Sequence, residues 1–136
     1  MIFNENILIN KIKSAPNGSE VKIFLYIALN QPNDDIKGFQ TTKQQLAFDL
    51  NIKIRTVFNS LRWLKDNLLI HELKLAESVD FMVNPYIIMN NCDRDARIAE
   101  WARRQRLDSE RELRLRKERR LRELRKQKKL AQVQNS

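Results

Sequence analysis

The sequence contains, from residue 42, the run Thr42-Lys43-Gln44-Gln45-Leu46-Ala47-Phe48-Asp49-Leu50-Asn51-Ile52-Lys53-Ile54-Arg55-Thr56-Val57. Its spacing predicts a short helix, a tight turn and the start of a second helix. Thr42 can cap the first helix, and Gln45, three residues later, can complete a capping box. Asn51 can adopt the left-handed conformation that a tight turn between helices requires. The run therefore predicts a helix-turn-helix unit.

Helical periodicity continues on both sides of this run. An earlier helix is predicted from Ser19, because apolar residues follow the i, i+3, i+4, i+7 spacing of one face at Val21, Phe24, Leu25 and Ala28. Residues 39–41 form a candidate short strand. The second helix of the pair continues beyond residue 57 with a buried stripe at Val57, Leu61, Leu64 and Leu68.

After this helix the apolar period falls to two. Residues 69–75 and 79–83 alternate apolar and polar side chains around the polar turn at 76–78, which predicts a β-hairpin. The order helix, strand, helix, helix, strand, strand is that of a winged helix-turn-helix with the hairpin as its wing, a fold that often holds one helix in the major groove of DNA. The alternative is a small α+β domain that makes no DNA contact.

The last third of the chain has a different composition. Residues 1–92 contain ten basic and nine acidic residues, whereas residues 93–136 contain sixteen and eight. The second segment has no proline or glycine up to Leu130, and many acidic residues stand four positions before a base, which favours a long helix. Its leucines do not keep a 3.5-residue spacing, so a sustained coiled coil is not expected. Ile98 and Trp101 are expected to pack on the first domain.

These observations predict a mainly α protein with a small β-hairpin, built from two parts. Residues 1–92 form a winged helix-turn-helix domain, and residues 93–136 form a basic, Arg/Glu-rich helical tail. Residues 119–129 contain seven basic residues and one acidic residue, so the end of the tail could lie along phosphates. The alternative is a solvated helix that keeps the protein soluble.

Catalytic and metal chemistry is poorly supported by the residues present. His71 is the only histidine and Cys92 the only cysteine, which is too few for a structural zinc site. Gly18 and Gly38 are the only glycines of the sequence, which is too few for a glycine-rich phosphate-binding loop. The N-terminus resembles no signal peptide and no apolar run is long enough to span a membrane. We therefore expect a cytoplasmic protein that is not an enzyme and uses no cofactor, metal or membrane.

The buried stripe of the second helix leaves its other side free to face DNA. Arg55 is expected to bind guanine and Asn59 adenine, each with two hydrogen bonds. Lys53 and Arg62 are expected to contact phosphates. With the start of the first helix and the wing, the predicted DNA-binding set is Thr42, Lys43, Lys53, Arg55, Thr56, Asn59, Ser60, Arg62 and Lys74. The alternative at each position is an ordinary solvated side chain.

Several segments also carry a family resemblance, which is most characteristic at Phe81-Met82-Val83-Asn84-Pro85. Less specific segments are Thr42 to Ala47, Thr56-Val57 with Leu61 and Leu64, and Leu68-Leu69-Ile70. Through them, about residues 20–92 resemble the RepL-type plasmid replication initiators, which are winged-helix proteins. The resemblance implies recognition of a plasmid origin, with replication initiation and copy number control but no cutting of DNA. The sequence differs from the usual winged-helix pattern at three positions. Asn51 and Asn67 stand where many winged-helix proteins have glycine, and Lys53 stands where a serine or threonine cap is common.

Three functions remain open from the sequence. The first is a replication initiator that binds an origin in double-stranded DNA and recruits host replication proteins through the C-terminal helix. The second is a winged-helix transcriptional regulator that binds an operator. The third is a protein-interaction adaptor. A homodimer is compatible with each of them.

Overall fold

The computed structural model describes residues 2–89 and 92–134, with the backbone alone for Ile2 and Phe3. Its elements are, in chain order, β1 (Ile2–Phe3), α1 (Glu5–Lys13), α2 (Ser19–Leu29), β2 (Phe39–Thr41), α3 (Lys43–Leu50), α4 (Ile54–Asp66), β3 (Ile70–Lys74), β4 (Val79–Val83), β5 (Ile88–Met89) and α5 (Arg94–Gln134). This is a winged helix-turn-helix with a long C-terminal helix. The predicted fold class is confirmed.

Two compact units divide the chain, Met1–Ala102 and Arg103–Ser136. The sequence predicted a domain boundary between residues 92 and 93, and this boundary stays a prediction. The first unit includes the first turns of α5, where Arg97, Glu100 and Trp101 are buried. In the second unit, every described side chain from Arg106 onward is exposed.

The core of the first unit is centred on α2. Its buried apolar residues are Ile23, Phe24, Ile27 and Ala28. The predicted face was wrong at Leu25, which is largely exposed. Because α2 packs against both α4 and β4, the buried side is rotated toward Ile23 and Ile27 relative to the predicted one. The side chains of Val21 and Leu25 therefore lie at its margin or outside it.

The helix-turn-helix unit comprises α3, the turn at residues 51–53 and α4. Thr42 Oγ1 accepts a hydrogen bond from the Gln45 backbone N–H at 3.0 Å, which confirms the predicted cap. The Gln45 side chain donates to Asp49 rather than turning back to complete the box. Asn51 has φ 53° and ψ 50°, the predicted left-handed conformation. This single residue lets the chain reverse between two closely packed helices.

The buried stripe of α4 is confirmed at Val57, Leu61 and Leu64. It was wrong at Leu68, which is 52% exposed. The helix ends at Asp66, and Leu68 has φ 57°. The left-handed residue is therefore Leu68 and not Asn67, and this turn directs Leu69 into the core.

The three-stranded sheet has the order β2-β4-β3, and both pairings are antiparallel. The predicted strand at residues 39–41 is β2, which pairs Phe39 with Phe81. The wing is the hairpin of β3 and β4, closed by a hydrogen bond from Leu75 N–H to the Ser78 carbonyl at 2.9 Å. A second sheet pairs β1 with β5.

The start of α5 packs on the first unit through a buried arginine. The Arg97 guanidinium donates to the Asp34 carbonyl at 2.8 Å, to the Lys37 carbonyl, and to Gln31 Oε1 at 2.6 Å. Trp101 is buried as predicted, edge-on to the ring of His71 with centroids 6.5 Å apart. His71 is thus a packed histidine.

Candidate nucleic-acid interface

The exposed side of α4 lies opposite its buried stripe. Arg55, Asn59 and Arg62 are exposed and spaced by four and three residues, so they share one side of the helix. Val57, Leu61 and Leu64 anchor the other side in the core. The helix therefore presents two guanidinium groups and one carboxamide to solvent from a fixed backbone.

These three side chains are chemically free within the part of the chain that the structure describes. No hydrogen bond or ion pair engages Arg55, Asn59 or Arg62 among residues 2–89 and 92–134. Each of the two arginines then offers five N–H donors to an external acceptor, and Asn59 offers one carboxamide, which can donate and accept. Paired hydrogen bonds to a base edge are the contacts that such groups make best.

The amino end of α3 adds backbone donors beside this side. Thr42 uses its hydroxyl oxygen to accept from Gln45 N–H. The N–H groups of the first turn that such a cap does not reach point outward, with the positive end of the helix dipole. An anionic oxygen is the favoured partner at this place.

Lys43 is the predicted site residue with the most intramolecular contacts. Its ammonium lies 3.6 Å from Glu72 Oε2 and 4.7 Å from the centroid of the Phe58 ring. The same carboxylate oxygen lies 3.4 Å from Lys65 Nζ. The Glu72 side chain is buried, and its other oxygen has no hydrogen-bond partner in the described chain. Two lysines therefore compensate one buried carboxylate.

Beside the wing, an open groove lies between α3, α4 and the hairpin turn. Its lining includes Lys43, Phe58, Lys74 and Leu75. Lys74 is exposed at the end of β3, and Glu77 is exposed in the turn that follows. The wing tip thus combines one base with one acid.

One predicted DNA-binding residue is not at the surface. Ser60 is 1% exposed, and its hydroxyl lies 2.9 Å from the Ser19 hydroxyl. It stands three positions after Val57, so it shares the buried side of α4, where it faces α2. Its inclusion in the predicted set was wrong. Of the remaining residues, Lys53 is exposed and Thr56 is half-buried.

Two residues of this region were missed or misjudged from the sequence. Phe58, which the sequence analysis did not single out, is 45% exposed and lies beneath the Lys43 ammonium. Glu72, which the sequence analysis also left out, joins β3 to α3 and α4 through its ion pairs with Lys43 and Lys65. The sequence signal for Phe58 was its position off the apolar stripe. No local signal marks Glu72, because its partners are distant in sequence.

Within residues 2–89 and 92–134, no group of three or more His, Cys, Asp or Glu side chains could coordinate a metal ion. No described helix combines the length and the apolar character that crossing a membrane requires.

Comparisons with known proteins give only distant structural likeness. No protein-family model and no curated protein matches the sequence. Among solved structures, a transcriptional regulator HlyU from Vibrio vulnificus CMCP6 aligns with a TM-score of 0.43 and 14% identity, over 76% of this chain and 82% of that one. An ArsR-like transcriptional regulator from Rhodococcus sp. RHA1 aligns with a TM-score of 0.43 and 13% identity, over 85% and 90%.

A third solved structure is the homodimeric winged helix-turn-helix DNA-binding domain (fragment 1–100) of Mb0332 from Mycobacterium bovis, a possible ArsR-family transcriptional regulator. It aligns with a TM-score of 0.42 and 14% identity, over 78% of this chain and 82% of that one. At these values the function must be argued from the geometry of this chain itself.

Proposed function

We propose that this chain binds double-stranded DNA in a sequence-specific manner, with α4 as the recognition helix. The observation that carries the proposal is the exposed side of α4, where Arg55, Asn59 and Arg62 have no partner in the described chain. Ordinary surface arginines are common, but here they stand on the second helix of a helix-turn-helix unit. That helix is the one that such units insert in the major groove.

The roles of the three side chains follow from their positions along α4. Arg55 lies in the first turn, nearest the bases, and is proposed to bind the O6 and N7 atoms of a guanine. Asn59, one turn later, is proposed to bind the N6 and N7 atoms of an adenine. Arg62 lies further along and is proposed to contact a phosphate.

Phosphate contacts are proposed to position the helix. The candidates are Thr42 and the free backbone donors at the start of α3, with Lys53, Thr56 and Lys74 beside them. Lys43 is proposed to contribute less than its charge suggests, because Glu72 already compensates it. Such contacts fix the orientation of a protein on the duplex without reading its sequence.

The decisive experiment is selection of bound sequences from a random duplex library, followed by measurement on the selected site. We expect one enriched motif, and we expect Arg55→Ala/Asn59→Ala to remove the preference for it. The matched control is Asn33→Ala/Arg94→Ala, which removes the same residue types from exposed positions outside α4. If no motif is enriched, or if the control loses the preference equally, the proposal fails.

Within this activity, the first proposed role is regulation at an operator. A protein that occupies an operator can regulate by binding alone, whereas an initiator also needs a surface that recruits host replication proteins. Origin recognition on a plasmid, which the family resemblance implies, is the second role. A selected site upstream of the chain's own gene supports the first role, and replication supplied in trans from a neighbouring origin supports the second.

The remaining proposals concern partners. A homodimer would bind two half-sites about one helical turn apart, so the selected motif would be palindromic. Light scattering on the free and DNA-bound protein tests this. The adaptor function would instead leave partner binding intact in the Arg55→Ala/Asn59→Ala variant, with no preferred duplex.

A further inference from the structure

The second unit has the strongest charge imbalance of the chain. Residues 103–134 contain fourteen basic and five acidic side chains. They form the helical continuation of α5, and every side chain from Arg106 to Gln134 is exposed. The DNA contacts proposed for α4 do not involve these charged side chains.

The charges of this helix are not evenly distributed around it. Positions three or four apart share one side of a helix. Such spacing places five bases and one acid, Glu118, on a single side, here named the basic stripe: Arg111, Arg114, Arg122, Arg125 and Lys129. Five positive charges therefore face one direction against one negative charge.

The opposite side of the same helix is balanced. It contains two bases and two acids, Glu112, Arg116, Arg120 and Glu123. The apolar residues Leu113 and Leu124 lie beside them. The net charge of this mixed side is zero, whereas that of the basic stripe is +4 (five bases and one acid).

The basic stripe is also free to act. Among the described residues, no hydrogen bond or ion pair engages any of its five bases. From Arg111 to Lys129 the helix rises about 27 Å, at 1.5 Å per residue. Duplex DNA presents about one negative charge per 1.7 Å of its axis, so phosphates are available over the whole length of the stripe.

We propose that the basic stripe binds the phosphate backbone of duplex DNA without regard to sequence. It provides a second point of attachment to DNA. The stripe presents five arginine and lysine side chains beside Glu118 and no carboxamide, whereas α4 also presents the carboxamide of Asn59. A membrane surface is the less suitable partner, because the side opposite the stripe has four charges where an inserted helix needs an apolar face. The proposal stands independently of sequence-specific binding by α4.

The test uses the full chain and a duplex of random sequence, with affinity measured between about 50 and 200 mM salt. One variant, Arg122→Gln/Arg125→Gln, removes two charges from the stripe. The matched control, Arg116→Gln/Arg120→Gln, removes two arginines from the mixed side. Circular dichroism verifies that both variants keep their helix content.

We expect the plot of log affinity against log salt to be less steep for the stripe variant. The magnitude of its slope should fall by about 1.8, because each lost phosphate contact reduces it by about 0.9. We expect the control to leave the slope nearly unchanged. Equal losses in both variants would overturn the proposal in favour of diffuse net charge, and no loss in either would leave the helix merely solvated and overturn it as well.

A parallel measurement uses vesicles of equal parts phosphatidylserine and phosphatidylcholine. If the stripe variant loses vesicle binding while its affinity for DNA is unchanged, the partner is a lipid surface and the proposal is wrong. Failure of the library selection on α4 would not produce any of these outcomes, so the two proposals can fail separately.

Discussion

The ammonium of Lys43 and the buried carboxylate of Glu72 lie 3.6 Å apart, joining the start of α3 to the wing. Lys65 of α4 approaches the same carboxylate oxygen at 3.4 Å. The Glu72 carboxylate therefore connects, through two ion pairs, three elements that surround the candidate interface. It also withdraws one lysine from the charge that the interface offers to phosphates.

Replacing this carboxylate should strengthen sequence-independent binding. In Glu72→Gln the ammonium groups of Lys43 and Lys65 are no longer compensated. Lys43, at the start of α3, then becomes available to a phosphate. We expect tighter binding to all duplexes at low salt and a salt slope larger by about 1. Titration of random duplex over a salt series measures both.

The control for this change is Glu77→Gln, which removes the same charge from the exposed wing turn. It releases no lysine in the described chain, so its effect should be smaller. Equal effects of the two variants would mean that net charge alone, and not release of Lys43, accounts for the gain.

Arg55 and Arg62 should differ in what their loss does. Arg55→Ala is expected to cost about 1–3 kcal/mol of discrimination at one base pair of the selected site, because a bidentate contact to a base is lost. Arg62→Ala should weaken binding to all sequences and lower the salt slope by about 1. Competition titrations with single-base variants of the site separate the two. Loss of discrimination in Arg62→Ala alone would reverse the assignment.

Ser60 should act on stability rather than on binding. Ser60→Ala removes the hydroxyl that lies 2.9 Å from that of Ser19 and leaves the surface of α4 intact. We expect the free energy of unfolding to fall by about 1 kcal/mol, the usual value of one hydrogen bond. Urea denaturation and DNA titration measure the two properties. A change in sequence preference would contradict the buried position.

The order of elements from α2 to β4 could be predicted because it rests on local signals. Apolar residues three to four positions apart predicted α2 and α4, and apolar residues two positions apart predicted β3 and β4. Thr42 and Asn51 predicted the two ends of α3. Each signal lies within a few residues of the feature that it predicts. Local chemistry therefore accounts for the winged helix-turn-helix without knowledge of tertiary contacts.

The errors arose where tertiary packing decides. Leu25 fits a helical stripe as well as Ile23 does, and only the position of α4 and β4 makes one exposed and the other buried. Ser60 is small and polar, so the sequence placed it at the surface, but α2 packs over it. The compensation of Lys43 by Glu72 joins residues far apart in the chain, which no periodicity reveals.

Tyr26 should contribute to the stability of the fold at neutral pH and lose this contribution at alkaline pH. Its hydroxyl donates to Asp49 Oδ2 at 2.8 Å, and this hydrogen bond, with burial and the negative charge of Asp49, raises the pKa of Tyr26 above 10.0. Since the folded pKa is raised, the contribution to stability is complete below pH 10 and is lost as the pH rises through the folded pKa. Tyr26→Phe should be less stable than the natural chain at pH 8, by no more than about 1 kcal/mol.

The difference between the two proteins should shrink above pH 10, where ionised Tyr26 repels Asp49. Urea denaturation at pH 8 and at pH 10.5 provides the comparison, and lysine titration cancels because both proteins share it. A difference that stays constant with pH would show that the hydroxyl stabilises the fold without the predicted coupling to Asp49.

Gly38 should tolerate no side chain, because the chain before β2 passes directly against β4. A Cβ on Gly38 would lie 2.3 Å from the Phe81 carbonyl oxygen and 2.4 Å from Asp80 Oδ1. The Gly38 N–H also donates to both Asp80 carboxylate oxygens, at 2.9 and 3.0 Å. Moving the backbone to relieve the clash would break these bonds. We expect Gly38→Ala to lower the free energy of unfolding by about 1–3 kcal/mol, as overpacking does.

The control is Gly18→Ala, where the added Cβ meets nothing within 4 Å and φ is −78°. Its unfolding free energy should change by less than about 1 kcal/mol, since only a cap preference is affected. Thermal and urea denaturation of both variants measure the difference. Because Gly38 lies just before β2 and not on α4, any Gly38→Ala protein that remains folded should keep its preferred DNA sequence. Comparable stability of the two variants would contradict the close approach between Gly38 and β4.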